Sequence, residues 1–399
     1  MKNDAPRVIH IIDSLDRTAV ENWLVRMLRH AVKNKLPVDW TFYCTIGKGL
    51  SDQYAEALGA KVVHSPVPIG SKRAFVQSLR SELRRGAYQV LHSHHDVVSA
   101  VYFLAAWGLP IEKRIVHVHN ADESVLTPSV LKQAVFLPLF RNICLRSANQ
   151  IVGNSNHSLD TFLAGRKRRE GRDVVHYYGI NPEPFVNATG DRLAFRRKLG
   201  LADDAHILLF AGRVVPEKNP VFAVDVIAEM RRMNSRVAGV FAGAGSLEND
   251  VRQRAAELGA EPWVRYLGWR NDMAEIMSCC DWFILPHPEH PMEGFGIAVV
   301  EAQLAGLRLL LSRGLSEDPL LPTASMRRVS LSQDAKEWAA AAMDLWSFPA
   351  PSRQAALAAF QQSPMAMGRA FRELVELHTL NKFGPRPGKR PGDLAGEAA

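Results

Sequence analysis

Two doubly wound, Rossmann-like parallel-sheet α/β domains facing a central cleft are what this sequence predicts, and three observations carry the prediction. Short apolar runs alternate with helix-period segments. The alternation breaks at a polar stretch, residues 181–190, and then restarts. A chain of 399 residues, 47% apolar and 23% charged, has room for two ordinary domains. Parallel strands covered by helices on both faces read as continuous apolar runs, which is the pattern here.

Taken in order, the first half gives strands at 7–13, 40–46, 61–65, 90–94, 114–119, 150–154 and 174–178. Between them, Trp23, Leu24, Met27 and Leu28 share one helical face and Phe75, Leu79 and Leu83 another, so both stripes are core. The apolar stretch 97–111 is too short to span a bilayer and is read as a buried helix. The second half gives strands at 207–213, 237–242, 264–267, 282–286 and 308–312. The expected divisions are a first domain at 1–185, a second at 186–365 and a helix at 366–384 crossing back to the first domain. The Pro-, Gly- and Arg-rich tail, 385–399, has nothing to bury and is expected to be disordered.

Cys44, Cys144, Cys279 and Cys280 show no C-x-x-C spacing, which indicates neither a disulfide framework nor a zinc ribbon. A polar residue 1–6 segment runs straight into the first strand and leaves no space for a signal peptide, so a cytoplasmic protein is expected. The net charge is +8, with basic clusters at Arg80, Arg84 and Arg85, at 166–169 and at 196–198. Such clusters are solvated surface or a peripheral contact with an anionic membrane; no nucleic-acid module accompanies them, and no nucleic-acid partner is expected.

In doubly wound sheets ligands sit beyond the carboxyl ends of the strands, and the chemistry-bearing motifs fall there. After strand 282–286 comes Glu293-Gly-Phe-Gly-Ile-Ala-Val-Val-Glu301. A tight Gly-Phe-Gly turn opening a helix leaves backbone N–H groups free for a phosphate. The two carboxylates, in the loop and about a turn and a half into the helix, reach different parts of one elongated ligand. A phosphate flanked by polyhydroxyl groups fits. After strand 207–213, Arg213 and Lys218 stand around a turn where both can neutralise a diphosphate. Gly243-Ala244-Gly245 marks a further turn, and the loop 267–272, with Arg270, follows the next strand.

The first half supplies histidines. His92 with His94, and His117 with His119, share a strand face by alternation and can converge. Polar strand ends serving loop backbone and a metal site of imidazoles are both open readings at this level.

The acidic residue, Gly, Phe, Gly, and second Glu eight positions on resemble the E-x7-E signature of glycosyltransferase family 4, retaining enzymes of GT-B fold. Gly212-Arg213 through Lys218-Asn219 resembles that family's G-R-x-x-x-x-K-N segment. The resemblance covers roughly residues 7–380. It implies a nucleotide sugar as donor, UDP being the commonest choice, with ribose on Glu301 and diphosphate on Arg213 and Lys218. The sugar falls on Glu293, the backbone of Gly294, Phe295, Gly296 and Ile297, and His119, and the base on the loop holding Arg270. No metal or other cofactor is expected in that scheme. It further implies a glycan or polyprenyl-linked acceptor, and the segments 114–120, 153–157 and 177–181 look most like bacterial exopolysaccharide and capsule enzymes.

Departures from the pattern accompany the matches. Thr18 and Ala19 stand where the family carries a Gly pair, Arg308 where it has Pro, and His287 where it has a small hydroxyl residue. The lost Gly pair keeps alive a catalytically degenerate protein that binds a nucleotide sugar or a partner enzyme. A nucleotide-sugar epimerase of the same fold is the other alternative.

Overall fold

The computed structural model describes residues 5–16, 19–120, 132–290 and 292–380. It forms two compact units, one running to Gly179 and resuming at Met367, the other Ile180–Ala366. Arg17, Thr18 and the tail 385–399 lie outside the described residues.

The first unit is built on seven strands: β1 (Arg7–Ile12), β2 (Asp39–Cys44), β3 (Lys61–His64), β4 (Val90–Ser93), β5 (Lys113–Val118), β6 (Gln150–Gly153) and β7 (Asp173–Val175). Their order is β3-β2-β1-β4-β5-β6-β7, all parallel. The order reverses between β1 and β4, the switch point at which such sheets open toward ligands. Each strand ends one to three residues before its expected end, because the last polar residues already turn into the loops. The stretch 97–111 yields the end of a 3-10 turn, Asp96–Val98, and a short helix, Ser99–Ala105, with Ala100, Tyr102 and Phe103 buried.

The amphipathic helix Met367–His378 returns to the first unit and packs on helix Ala19–Lys33. Its buried Ala370, Phe371, Leu374 and Leu377 lie at helical spacing on one face. Each of the larger three contributes about 1.5–3 kcal/mol through burial.

The second unit has six parallel strands: β8 (His206–Ala211), β9 (Val237–Ala242), β10 (Val264–Tyr266), β11 (Trp282–Leu285), β12 (Arg308–Ser312) and β13 (Met326–Val329). Their order is β10-β9-β8-β11-β12-β13, with the reversal between β8 and β11. The sequence reading misses β13. Its Met-Arg-Arg-Val has no apolar run, because as an edge strand it pairs with β12 alone and its first three residues are only partly buried.

No helix among the described residues is long and apolar enough to cross a membrane. The basic run 196–198 is not one surface patch. Arg196 is buried and donates to the carbonyls of Ala205 and Arg192 at 2.7 and 2.8 Å, while Arg197 pairs with Asp203 at 2.8 Å.

Candidate active site

The fully buried strand β11 delivers the chain into a loop that is tied down before it reaches Glu293. The Ser312 hydroxyl donates to the His287 carbonyl at 2.5 Å. The Glu293 N–H donates to the Gly314 carbonyl at 3.0 Å. A Cβ on Gly314 would run into the carbonyls of His287 and Pro288, so this approach needs glycine. Glu293 is thus held by backbone against the loop that follows β12. Three residues on, Gly296 takes the left-handed conformation, φ +80°, and caps helix Ile297–Leu304. Phe295, 2% exposed, anchors the turn in the core. The Gly294-to-Ile297 segment therefore opens a helix as the sequence predicts, and Glu301 sits half-buried in the second turn.

Lys218 comes from a one-turn 3-10 helix, Pro216–Lys218, after β8. The loops after β8, β9 and β10 are laced together by backbone: Gly212 N–H to Ala242 O at 3.0 Å, Val214 N–H to Ala244 O at 2.9 Å, and Gly243 N–H to Gly268 O at 2.8 Å. A Cβ on Gly245 would strike the Val214 carbonyl. The Gly-Ala-Gly turn is therefore the gap through which the loop bearing Arg213 passes.

These two supports bring Lys218 and Glu293, 75 positions apart, into a direct ion pair. Burial first, then the charge of Arg213, presses the Lys218 ammonium toward losing its proton, with a pKa down to about 7. The Glu293 carboxylate in contact works the other way, because an opposite charge favours the ionised form. The His287 Nε2 lies 3.5 Å from the same Glu293 oxygen. Its Nδ1–H donates to the Pro288 carbonyl at 2.9 Å, and burial lowers its pKa to about 4. His287 is therefore neutral, and its Nε2 lone pair faces the same space as the carboxylate. Two acceptors and an ammonium converge there, a set matched to vicinal hydroxyls beside a phosphate. The sequence marks His287 only as a departure; its contact with Glu293 depends on a loop path that spacing does not reveal.

Arg213 is exposed at the start of the same loop. Arg270 is held by Asp272 through its Nε at 2.7 Å and a second, shorter contact, so its guanidinium is already paired. Its neighbour Trp269 is 54% exposed.

His119 belongs to the first unit, just past β5. Its Nδ1 meets the Tyr178 hydroxyl at 2.8 Å and its Nε2 meets His94 Nδ1 at 3.0 Å, so both ring nitrogens are engaged within the unit. Burial lowers its pKa to about 3. The expected convergence of His92 with His94 and of His117 with His119 is present, with ring centroids 4.3 Å apart in each pair. His10, His176 and His378 join them, and none of the three stands in a motif that spacing could single out. Glu21, in the first turn of helix Ala19–Lys33, was also passed over. It is buried, and burial lifts its carboxyl to about 7, with Asp13 and Asp16 pushing the same way.

Residues 191–317 match the family described as glycosyl transferases group 1. Over 351 residues the chain is 27% identical to glycosyltransferase EpsF of Bacillus subtilis, covering 85% of this chain and 87% of that one. It is 30% identical over 249 residues to a D-inositol 3-phosphate glycosyltransferase of Stackebrandtia nassauensis; the match takes in 57% of this chain and about half, 54%, of that relative. Among solved structures, Anabaena Alr3699/HepE in complex with UDP and glucose is similar at a TM-score of 0.73 and 18% identity, over 93% of this chain and 98% of that one. A glycosyltransferase from Rickettsia africae is similar at 0.74 and 15% identity, over 94% and 98%. At those identities the likeness is one of fold. By the match over residues 191–317, the related sequences and the shared fold, the chain is similar to group 1 glycosyltransferases and is built on the GT-B fold.

Proposed function

We propose that the protein transfers a hexosyl group from a nucleoside-diphosphate sugar, UDP-linked, to a glycan or polyprenyl-linked acceptor with retention of configuration. The observation that supports this most is the Lys218–Glu293 pair beside the Gly296-capped helix. The second unit holds a cation, an anion and the N-terminal end of a helix at one place, which suits a diphosphate joined to a sugar. In this reading Lys218 leaves Glu293 for the diphosphate when donor arrives, and Arg213 joins it. Glu293, released, accepts from sugar hydroxyls with His287 beside it, and Glu301 takes the ribose. Lys218, Arg213 and the helix start then balance the charge of the departing diphosphate without a metal ion. The leaving phosphate takes the acceptor proton, so Glu293 positions and stabilises and does not attack.

The solved structures of Alr3699/HepE with UDP and with UDP-glucose favour uridine as the base. A role in bacterial surface polysaccharide synthesis, on the cytoplasmic side, is favoured by the likeness in fold to WaaG, a glycosyltransferase involved in lipopolysaccharide biosynthesis. Peripheral contact with the inner membrane face is favoured by Arg80 lying beside two exposed apolar residues, Leu104 at 50% and Trp107 at 70%. Arg80 donates to the carbonyls of Ala105 and Trp107.

The test is product analysis after incubation with UDP-glucose, UDP-galactose and UDP-N-acetylglucosamine, with and without a polyprenyl-diphosphate sugar acceptor. Acceptor-dependent UDP release and an α-linked product support the reading. Turnover without acceptor to an epimeric UDP-sugar, or nucleotide binding with no turnover, contradicts it.

A further inference from the structure

Seven histidines form one buried layer on a single face of the first unit's sheet. His10 of β1 lies in register with His92 of β4. His94, His117 and His119 follow at alternate positions, which keeps them on that face. His176 comes from just after β7, and His378 from the last turn of helix Met367–His378. His10, His92 and His117 are 0% exposed, His176 1%, His378 2% and His94 5%. Trp23 covers the layer, its ring 5.3 Å from His117 and 5.6 Å from His176, and Trp40 closes it at 4.9 Å from His10.

The rings touch through nitrogen. His92 Nδ1 lies 2.9 Å from His378 Nε2, and His92 Nε2 lies 3.2 Å from His117 Nδ1. His10 Nδ1 lies 3.0 Å from His94 Nε2. A neutral imidazole has one N–H and one lone pair, so such contacts form chains, and chains have ends. Here the ends are buried: His10 Nε2, His117 Nε2 and His176 Nδ1 have no hydrogen-bond partner among the described residues. An apolar layer would carry no such cost.

Two sets of three converge. His10, His92 and His378 each offer a ring nitrogen, and all three nitrogens lie within 4.8 Å of one another; so do those of His92, His94 and His117. Nitrogens bound at about 2.0–2.1 Å to one ion stand roughly 3.3–3.5 Å apart, so small ring rotations bring either set to coordinating distance. Imidazole suits copper and zinc. The surroundings decide between them. No carboxylate belongs to either triad, and the charged group acting on His378 from outside the layer is the cation Lys113. The penalty for burying an ion grows with the square of its charge, so a monovalent ion is favoured over a divalent one.

We infer that this histidine layer binds one copper(I) ion, with His92, common to both triads, as its central ligand. Both triads belong to the first unit, whereas Lys218 and Glu293 belong to the second.

The test is anaerobic titration of the full chain with copper(I) against bicinchoninate, in parallel with zinc(II) against a chromophoric chelator, followed by copper X-ray absorption. One equivalent should be retained with a first shell of nitrogen, because the free cysteines would show as sulfur. His92→Leu should weaken retention at least a hundredfold and His378→Leu at least tenfold, with circular dichroism as the check on folding. If His92→Leu fails to fold, His378→Leu, at a helix end, carries the test. A sulfur first shell, preference for zinc, no retention, or retention unchanged by either substitution would overturn the inference.

Discussion

The two units use polar side chains in opposite ways. In the second, a handful of charged groups stands on loops beyond β8 and β11, each fixed by backbone contacts and open to a ligand. In the first, a larger set of imidazoles is packed beneath Trp23 and Trp40, neutral and largely buried. Lys218 and Glu293 stand as each other's counter-charge, whereas the histidines face mainly neutral partners, one another above all, and burial holds them without their second proton. The contrast teaches that residue type alone does not separate a binding group from a core group. What separates them is whether the backbone leads the side chain past the strand end or leaves it on the sheet face.

The largest expected effect falls on the charged group. Glu293→Ala and Lys218→Ala should each lower turnover of the nucleotide sugar about a hundred- to a thousandfold, the range for losing one preorganised electrostatic contact. Steady-state rates at saturating donor check this, and a loss under tenfold in both would break the contrast by making the pair a structural ion pair.

Acid should strike the other unit. Burial lowers the pKa of His10, His92, His94, His117, His119, His176 and His378, to about 3 for His10 and His119. The unfolded chain takes up protons near pH 6.5 while the native layer stays neutral. This stability is therefore fully present above about pH 6.5 and is lost as pH falls from there toward the folded values. Each histidine adds up to about 1.4 kcal/mol per pH unit to that slope. Denaturant unfolding should lose at least about 3 kcal/mol between pH 7.5 and 5.5, and His10→Phe should flatten the slope; a flat profile in the parent protein would contradict a neutral layer.

Two smaller effects sharpen the picture of the loops. Gly245→Ala should cost about 1–3 kcal/mol, because the added methyl meets the Val214 carbonyl and the loop must shift. Thermal unfolding measures it, and an unchanged midpoint would show that the three loops are not interlocked. Arg270→Ala should change stability by less than about 1 kcal/mol, since its pair with Asp272 is more than a third exposed on both sides. A fall of tenfold or more in nucleotide affinity in this variant would show that Arg270 leaves Asp272 for the ligand.

Legibility followed the same division. Twelve of the thirteen strands were readable because buried parallel strands are apolar runs, and β13 was not, because Arg327 and Arg328 interrupt it at the sheet edge. In the site, Glu293, the Gly-Phe-Gly turn, Arg213 and Lys218 were legible as local motifs placed after strands. That Lys218 would meet Glu293 was not, since the contact spans two loops whose meeting depends on Gly245 and Gly314. His92, His94, His117 and His119 were readable as pairs by alternation. Their union with His10, His176 and His378 was hidden, because it depends on the β1–β4 register and on a helix almost two hundred positions after β7.

The central claim is that Lys218 passes from Glu293 to the donor diphosphate. Calorimetric titration with UDP of the parent protein, Lys218→Ala and Glu293→Gln tests it most directly. The account predicts micromolar binding by the parent, at least tenfold weaker binding by Lys218→Ala, and equal or tighter binding by Glu293→Gln, in which Lys218 no longer has to leave a carboxylate. Weakening of the same size in both variants, or no effect in either, would contradict it.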